Sequence, residues 1–134
     1  MPAKDIFHEA VKNALIKERW TITHDPLPLS FGGVDLYVYL GAEKIIAAQK
    51  DEQKIAVEIK SFLQLSVTSE FHTALGQYLN YRFILSNKEP ERVLYLAISQ
   101  DIYTSFFNLV FTQEILKEYE VKLIMKKYSK ILII

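Results

Sequence analysis

The chain contains no cysteine. Disulfide staples and thiolate metal sites are therefore excluded, and the fold has to be held by its own core. Net charge is absent as well: sixteen basic side chains meet sixteen acidic ones. That balance removes any global pull toward nucleic acid or anionic lipid and leaves only local patches to supply one. Glycine and proline are scarce, four of each in 134 residues, so the few breaks they make carry information. No apolar run approaches the roughly 20 residues that a bilayer-spanning helix needs. The start Met1-Pro-Ala-Lys-Asp-Ile6 lacks the apolar stretch of a signal peptide. A soluble, cytoplasmic protein without membrane association is expected. There is no glycine-rich dinucleotide loop and no Walker sequence, and the Gly32-Gly33 pair reads only as a turn.

What is present suits one domain over residues 1–134. Half of the chain is hydrophobic, enough for a substantial core at this length. Eight Tyr and eight Phe exceed what such a core needs, and surface aromatics are common at interfaces, so a homodimer is expected. Residues 5–19 read as a helix with an apolar stripe through Ile6, Ala10, Val11, Ala14 and Leu15. Strands are expected at 20–23, 34–40, 44–49 and 54–62, the last two joined by the polar turn 50–53 and the set forming an antiparallel meander. A second helix starts at Thr68 or Ser69 and runs to about residue 86, with Phe71, Leu75, Tyr78, Leu79 and Ile84 on one side. The run at 92–99 is nearly all apolar and reads as a central strand. Short helices at 101–107 and 113–120, a strand at 121–126 and a terminal edge strand at 131–134 complete an α/β sandwich around a mixed sheet.

The most informative stretch is Val57-Glu-Ile-Lys-Ser61. Period-2 geometry puts Glu58 and Lys60 on one face of a strand and Val57 and Ile59 on the other. An acid and an amine on a largely buried strand need a reason, because burying charge is costly unless it is paired or bound. With Asp35 on an earlier strand, they suggest metal-assisted phosphodiester chemistry. Asp35 and Glu58 would bind Mg²⁺ or Mn²⁺ through oxygen, with the Ile59 carbonyl as a third ligand. Lys60 would assist the attacking water or offset charge on the phosphate. Glu9 on the first helix and Gln77 on the second would complete the shell, and Lys54 and Arg82 would contact phosphate. Each also has an ordinary reading: Asp35 as a surface acid beside a turn, Glu58 and Lys60 as a cross-strand pair, Glu9 as an exposed helix acid, Gln77 as a plain helix amide, and Lys54 and Arg82 as surface charge. His8, His24 and His72 show no metal-ligand spacing, although His24 beside Asp25 could join a site at a strand end.

Longer stretches add a resemblance. Trp20-Thr-Ile-Thr-His-Asp-Pro26, Leu40-Gly-Ala-Glu-Lys44, Lys54-Ile-Ala-Val-Glu-Ile-Lys-Ser-Phe62 and Ala74-Leu-Gly-Gln-Tyr78 resemble the XisH family, named for a fdxN element excision controlling factor of cyanobacteria. That family is similar to the PD-(D/E)xK nuclease superfamily. The resemblance implies a restriction-endonuclease-like fold, a mixed central β-sheet flanked by helices. It places the superfamily's metal aspartate on Asp35, its Glu-x-Lys on Glu58 and Lys60, its helix acid on Glu9 and its helix glutamine on Gln77. It departs at Val34, where a proline usually precedes the first acid, and at Tyr39 and Gln49, where an acid often stands in the family. It further implies an accessory or controlling role in excision of a DNA element, with DNA and a small XisI-type protein as partners. Two functions follow as expectations. One is a divalent-metal-dependent endonuclease; the other is a catalytically inactive nuclease-fold module that binds DNA or a protein partner.

Overall fold

The computed structural model describes residues 3–36 and 45–134. The first helix, α1 (Ala3–Lys17), buries Val11, Ala14 and Leu15. It ends because Arg19 adopts φ 74°. The N–H of Trp20 then donates to the Leu15 carbonyl at 3.0 Å and that of Arg19 to Ile16 at 3.0 Å. This is the paired-bond helix terminus, with Leu15 and Trp20 sharing a core cluster across it.

Six strands form one sheet in the order β1-β4-β5-β6-β7-β8. β1 (Thr21–His24), β4 (Ile45–Lys50) and β5 (Gln53–Ile59) are antiparallel neighbours, as the hairpin at 50–53 implied. The chain then crosses through α2 (Val67–Lys88) to β6 (Arg92–Ser99), parallel to β5 and central as expected. A second crossover, through α3 (Gln100–Ile102), a π-helical turn (Tyr103–Phe107) and α4 (Val110–Glu118), leads to β7 (Leu123–Lys127), parallel to β6. β8 (Lys130–Ile133) returns antiparallel along the edge. The expected helix at 101–107 is thus a short α-turn followed by a π-turn, and the helix expected at 113–120 begins earlier, at Val110.

One expected strand is not in this sheet. Asp35 lies on β3 (Val34–Leu36), which pairs only with β2 (Leu29–Phe31) in a separate two-stranded hairpin. Gly32 and Gly33 have φ 58° and 88°, the left-handed pair that a tight two-residue hairpin turn requires. The remainder of the expected strand at 34–40, including Tyr39, lies outside the described residues.

Alternation along β5 splits the core in two. Val57 and Ile59 join Val11, Leu15 and Ile46 under α1. Ala56, Leu94 and Leu96 join Phe71, Ala74 and Tyr78 under α2. Tyr78 ties three elements together: its hydroxyl donates to the Leu94 carbonyl at 2.8 Å and accepts the Lys122 N–H at 3.0 Å. At the sheet edge the Glu18 carboxylate accepts the Ile131 N–H at 2.6 Å, so the end of α1 is fastened to β8.

The second helix starts at Val67, one residue before Thr68 and two before Ser69, the expected starts. Ser66 is its cap, accepting the Ser69 N–H at 3.2 Å through the hydroxyl. Ser66→Ala is expected to lower stability by about 1 kcal/mol. Urea unfolding checks this, and an unchanged midpoint would mean that water replaces the cap without loss.

Candidate functional site

Glu58 and Lys60 occupy the end of β5 and its first following residue. They are 0% and 5% exposed, and both are engaged by interactions inside the fold. Glu58 sits in register between Ile45 of β4 and Leu96 of β6, while the Lys60 N–H extends the parallel ladder to the Ala97 carbonyl at 3.1 Å. Because Val57 and Ile59 face α1, Glu58 faces α2. Gln77 comes from that helix. It precedes Tyr78, which fixes α2 to Leu94, the partner of Ala56 and so two residues before the Glu58–Leu96 step. The Gln77 Oε1 is buried without a hydrogen-bond partner among the described residues, as is the Ser61 hydroxyl. Glu58, Lys60 and the helix that carries Gln77 are therefore on one side of the sheet.

An aromatic wall stands behind them. Phe62 meets Phe107 edge-on at 5.4 Å, and Phe71 meets Phe106 at 5.4 Å and Phe107 at 5.6 Å. The π-turn places Phe106 and Phe107 side by side on this wall. π-turns are frequent at functional positions, where they change the direction in which a helix presents its side chains.

The other expected residues are elsewhere. Asp35 is exposed and its carboxylate accepts the Ser30 hydroxyl at 2.5 Å. Its neighbour Leu36 packs on the α2-side core, so alternation turns Asp35 away from that core. Glu9 is exposed on α1, across the sheet from Glu58. Lys54 lies at the opposite end of β5, roughly 13 Å of strand from Glu58, and pairs with Glu91 at 3.8 Å. Arg82, read as either a phosphate contact or surface charge, caps α4: it donates to the Tyr119 and Glu120 carbonyls at 2.8 and 3.0 Å and stacks over Tyr78. Among the described residues no group of three or more His, Asp or Glu side chains is placed to hold a metal ion. The described donors thus do not fit the expected Mg²⁺ centre by themselves.

One cluster had no signal in the sequence. His8 is buried, and its Nε2 lies 3.4 Å from Asp25, which also accepts a 2.9 Å bond from Lys12. The partners are 17 and 13 residues apart in the chain, too far for any periodic pattern to link them. His24, the residue singled out beside Asp25, bonds Thr23 instead. Burial pushes the Asp25 carboxyl up, but the Lys12 hydrogen bond and the nearby His8 outweigh it and hold the group below its ordinary value of 3.8. A carboxyl depressed in this way contributes stability above that value, which is lost as pH falls through the lower folded one. Asp25→Asn is expected to cost about 1 kcal/mol at pH 7 and less at pH 3. Equal losses at both pH values in urea melts would remove the electrostatic explanation.

Comparison with known proteins places the chain. The sequence profile of the XisH protein family matches residues 1–134. The chain belongs to the XisH family. An XisH family protein from Nostoc punctiforme PCC 73102 is 49% identical, with 96% of this chain and 97% of that one covered and a TM-score of 0.88. A fdxN element excision controlling factor protein from Anabaena variabilis is 51% identical, with 96% of each chain covered and a TM-score of 0.87. No curated protein matches. The XisH assignment and the mixed α/β fold expected from the sequence are thereby established. No described helix is long and apolar enough to cross a membrane.

Proposed function

We propose that this XisH protein is a controlling factor in the excision of a DNA element and that it acts by binding DNA rather than by cutting it. The role in excision is supported by the 51% identical fdxN element excision controlling factor protein. The binding mode is supported by one observation above all: Asp35, the first acid of the expected catalytic set, belongs to a separate hairpin, is engaged by Ser30 and is turned from the face that carries Glu58. Burial of Glu58 and Lys60 supports the same reading, since a phosphate and its water need access to the groups that act on them. A XisI-type protein partner and self-association as a homodimer belong to this proposal. Phe83, Phe111 and Phe31 are 58%, 52% and 39% exposed and supply apolar contact area for them.

The competing reading is a Mg²⁺- or Mn²⁺-dependent endonuclease built on Asp35, Glu58 and Lys60. It is favoured by Glu58, Lys60 and the Gln77-bearing helix lying on one side of the sheet and by the buried Gln77 oxygen, unmatched among the described residues. Calorimetric titration with Mn²⁺, run beside cleavage assays on linear, nicked and branched DNA, separates the two. The expected result is duplex binding without metal-dependent cutting, unchanged in Glu58→Gln. Mn²⁺ binding and DNA cleavage that are both lost in Asp35→Ala and in Glu58→Ala would establish the nuclease instead.

A further inference from the structure

We infer that the β7–β8 hairpin and the end of α1 form the surface that contacts the DNA backbone, an assignment that rests on the DNA-binding reading above. The chain is neutral overall, but its charge is segregated. After Glu120 there is no further acid, while Lys122, Lys126, Lys127 and Lys130 follow. The fold gathers three of these lysines at one place. β7 is parallel to β6 and β5, and Lys126 is in register with Ser99, so Lys126 and Lys127 lie at the same end of the sheet as Glu58 and Lys60. With β6 between them, β7 stands about 10 Å from β5.

The hairpin then brings in a second source of charge. Lys126 is paired with Ile131, and the Ile131 N–H is bonded to Glu18. Lys17 and Arg19, both exposed, flank that anchored residue. Lys17, Arg19, Lys126, Lys127 and Lys130 thus share one edge region, and among the described residues none of the five is in an ion pair. Elsewhere Lys12, Lys54 and Arg92 are matched by carboxylates. Two acids come near this region. Glu18 is held by the Ile131 N–H, and Asp101 is in the first turn of α3 at the same sheet end.

Tyr128 projects from the hairpin tip, 81% exposed, at φ 55°, and its carbonyl accepts a hydrogen bond from Lys126. Cations around an exposed ring suit a polyanionic backbone, with the ring free to lie against a sugar or base. Contacts of this kind position the duplex without reading its sequence. Binding through this surface is therefore sequence-tolerant and salt-sensitive.

The test is fluorescence anisotropy of the full chain with a labelled duplex of arbitrary sequence between 50 and 200 mM salt. Lys127→Glu/Lys130→Glu is expected to weaken binding at least tenfold at the lower salt. Lys127→Gln/Lys130→Gln is expected to reduce the slope of log affinity against log salt by about two, roughly one for each cation removed. Lys88→Glu, at the far end of α2, serves as the control and is expected to bind like the parent. Thermal melts of all variants exclude misfolding. Parent-like binding by both hairpin variants would overturn this surface while leaving the DNA-binding reading intact. A folded parent chain that binds no duplex, whether or not it binds phosphatidylserine vesicles, would overturn both.

Discussion

Replacing Phe71 by alanine is expected to cost about 3–5 kcal/mol, the range for deleting a fully packed ring. Phe71 is 1% exposed and makes edge contacts with Phe106, Phe107 and Phe111, whose centroids lie 5.4, 5.6 and 6.3 Å away. From α2 it holds the π-turn and the start of α4 at once. Its removal leaves a cavity that three aromatic neighbours cannot fill by a rotamer change, so the cost belongs at the upper part of the range. For a domain of this size the thermal midpoint should fall by roughly 10–20 °C. Since the same rings back the end of β5, the variant should also expose Glu58 and Lys60 to hydrogen exchange and solvent. A loss under about 1 kcal/mol in urea unfolding would mean that the wall repacks and that the π-turn is held by something else.

The second large effect is expected at Tyr78→Phe. The ring stays and only the hydroxyl goes, but that oxygen serves both the Leu94 carbonyl and the Lys122 N–H. Each is left without its partner, the Leu94 carbonyl in a buried bond and the Lys122 N–H in a partly buried one, which amounts to about 2 kcal/mol for the pair. Burial first, offset by the Lys122 N–H and by Arg82, holds the hydroxyl above its ordinary value of 10.0. A group raised in the folded state contributes stability below its unfolded value, and that contribution is lost as pH climbs through the folded one. The parent protein should therefore lose stability above pH 10, whereas Tyr78→Phe should be weaker at neutral pH but flatter in that alkaline range. Denaturant melts at pH 7 and above pH 10 test both halves; parallel curves for the two proteins would rule out the titration of Tyr78 as the cause.

Periodicity made the main sheet legible where a strand or helix has one buried face. The apolar run at 92–99 is central because it is covered by helices on both sides, and the alternation at 54–62 located Glu58 and Lys60 on a common face. The same reasoning failed at Asp35, for a physical reason. Alternation in Val34–Leu36 is real, but it satisfies a hairpin with β2, a strand of three residues set between Pro28 and the glycines. Three residues cannot establish a period, so the alternative partner was invisible. For Arg82 and Lys54 the phosphate and surface-charge readings stayed open, because charge alone does not distinguish a phosphate ligand from a helix cap or a surface ion pair; the fold makes Arg82 a cap and gives Lys54 an ion pair. The His8–Asp25 contact was missed because it is made only once α1 lies against the end of β1.

The bond between Glu18 and the Ile131 N–H bears on how this protein avoids assembling when it should not. An edge strand offers unpaired donors and acceptors to any extended chain that meets it, and strands such as Ile131-Leu-Ile-Ile134 are the kind that stack into aggregates. Here a carboxylate from the first helix occupies one outward donor of the last strand, and it brings negative charge to the line that an incoming strand would have to follow. Part of this edge is thus guarded by a side chain 113 residues away from the strand it covers. The two ends of the chain must both be folded before that guard is in place.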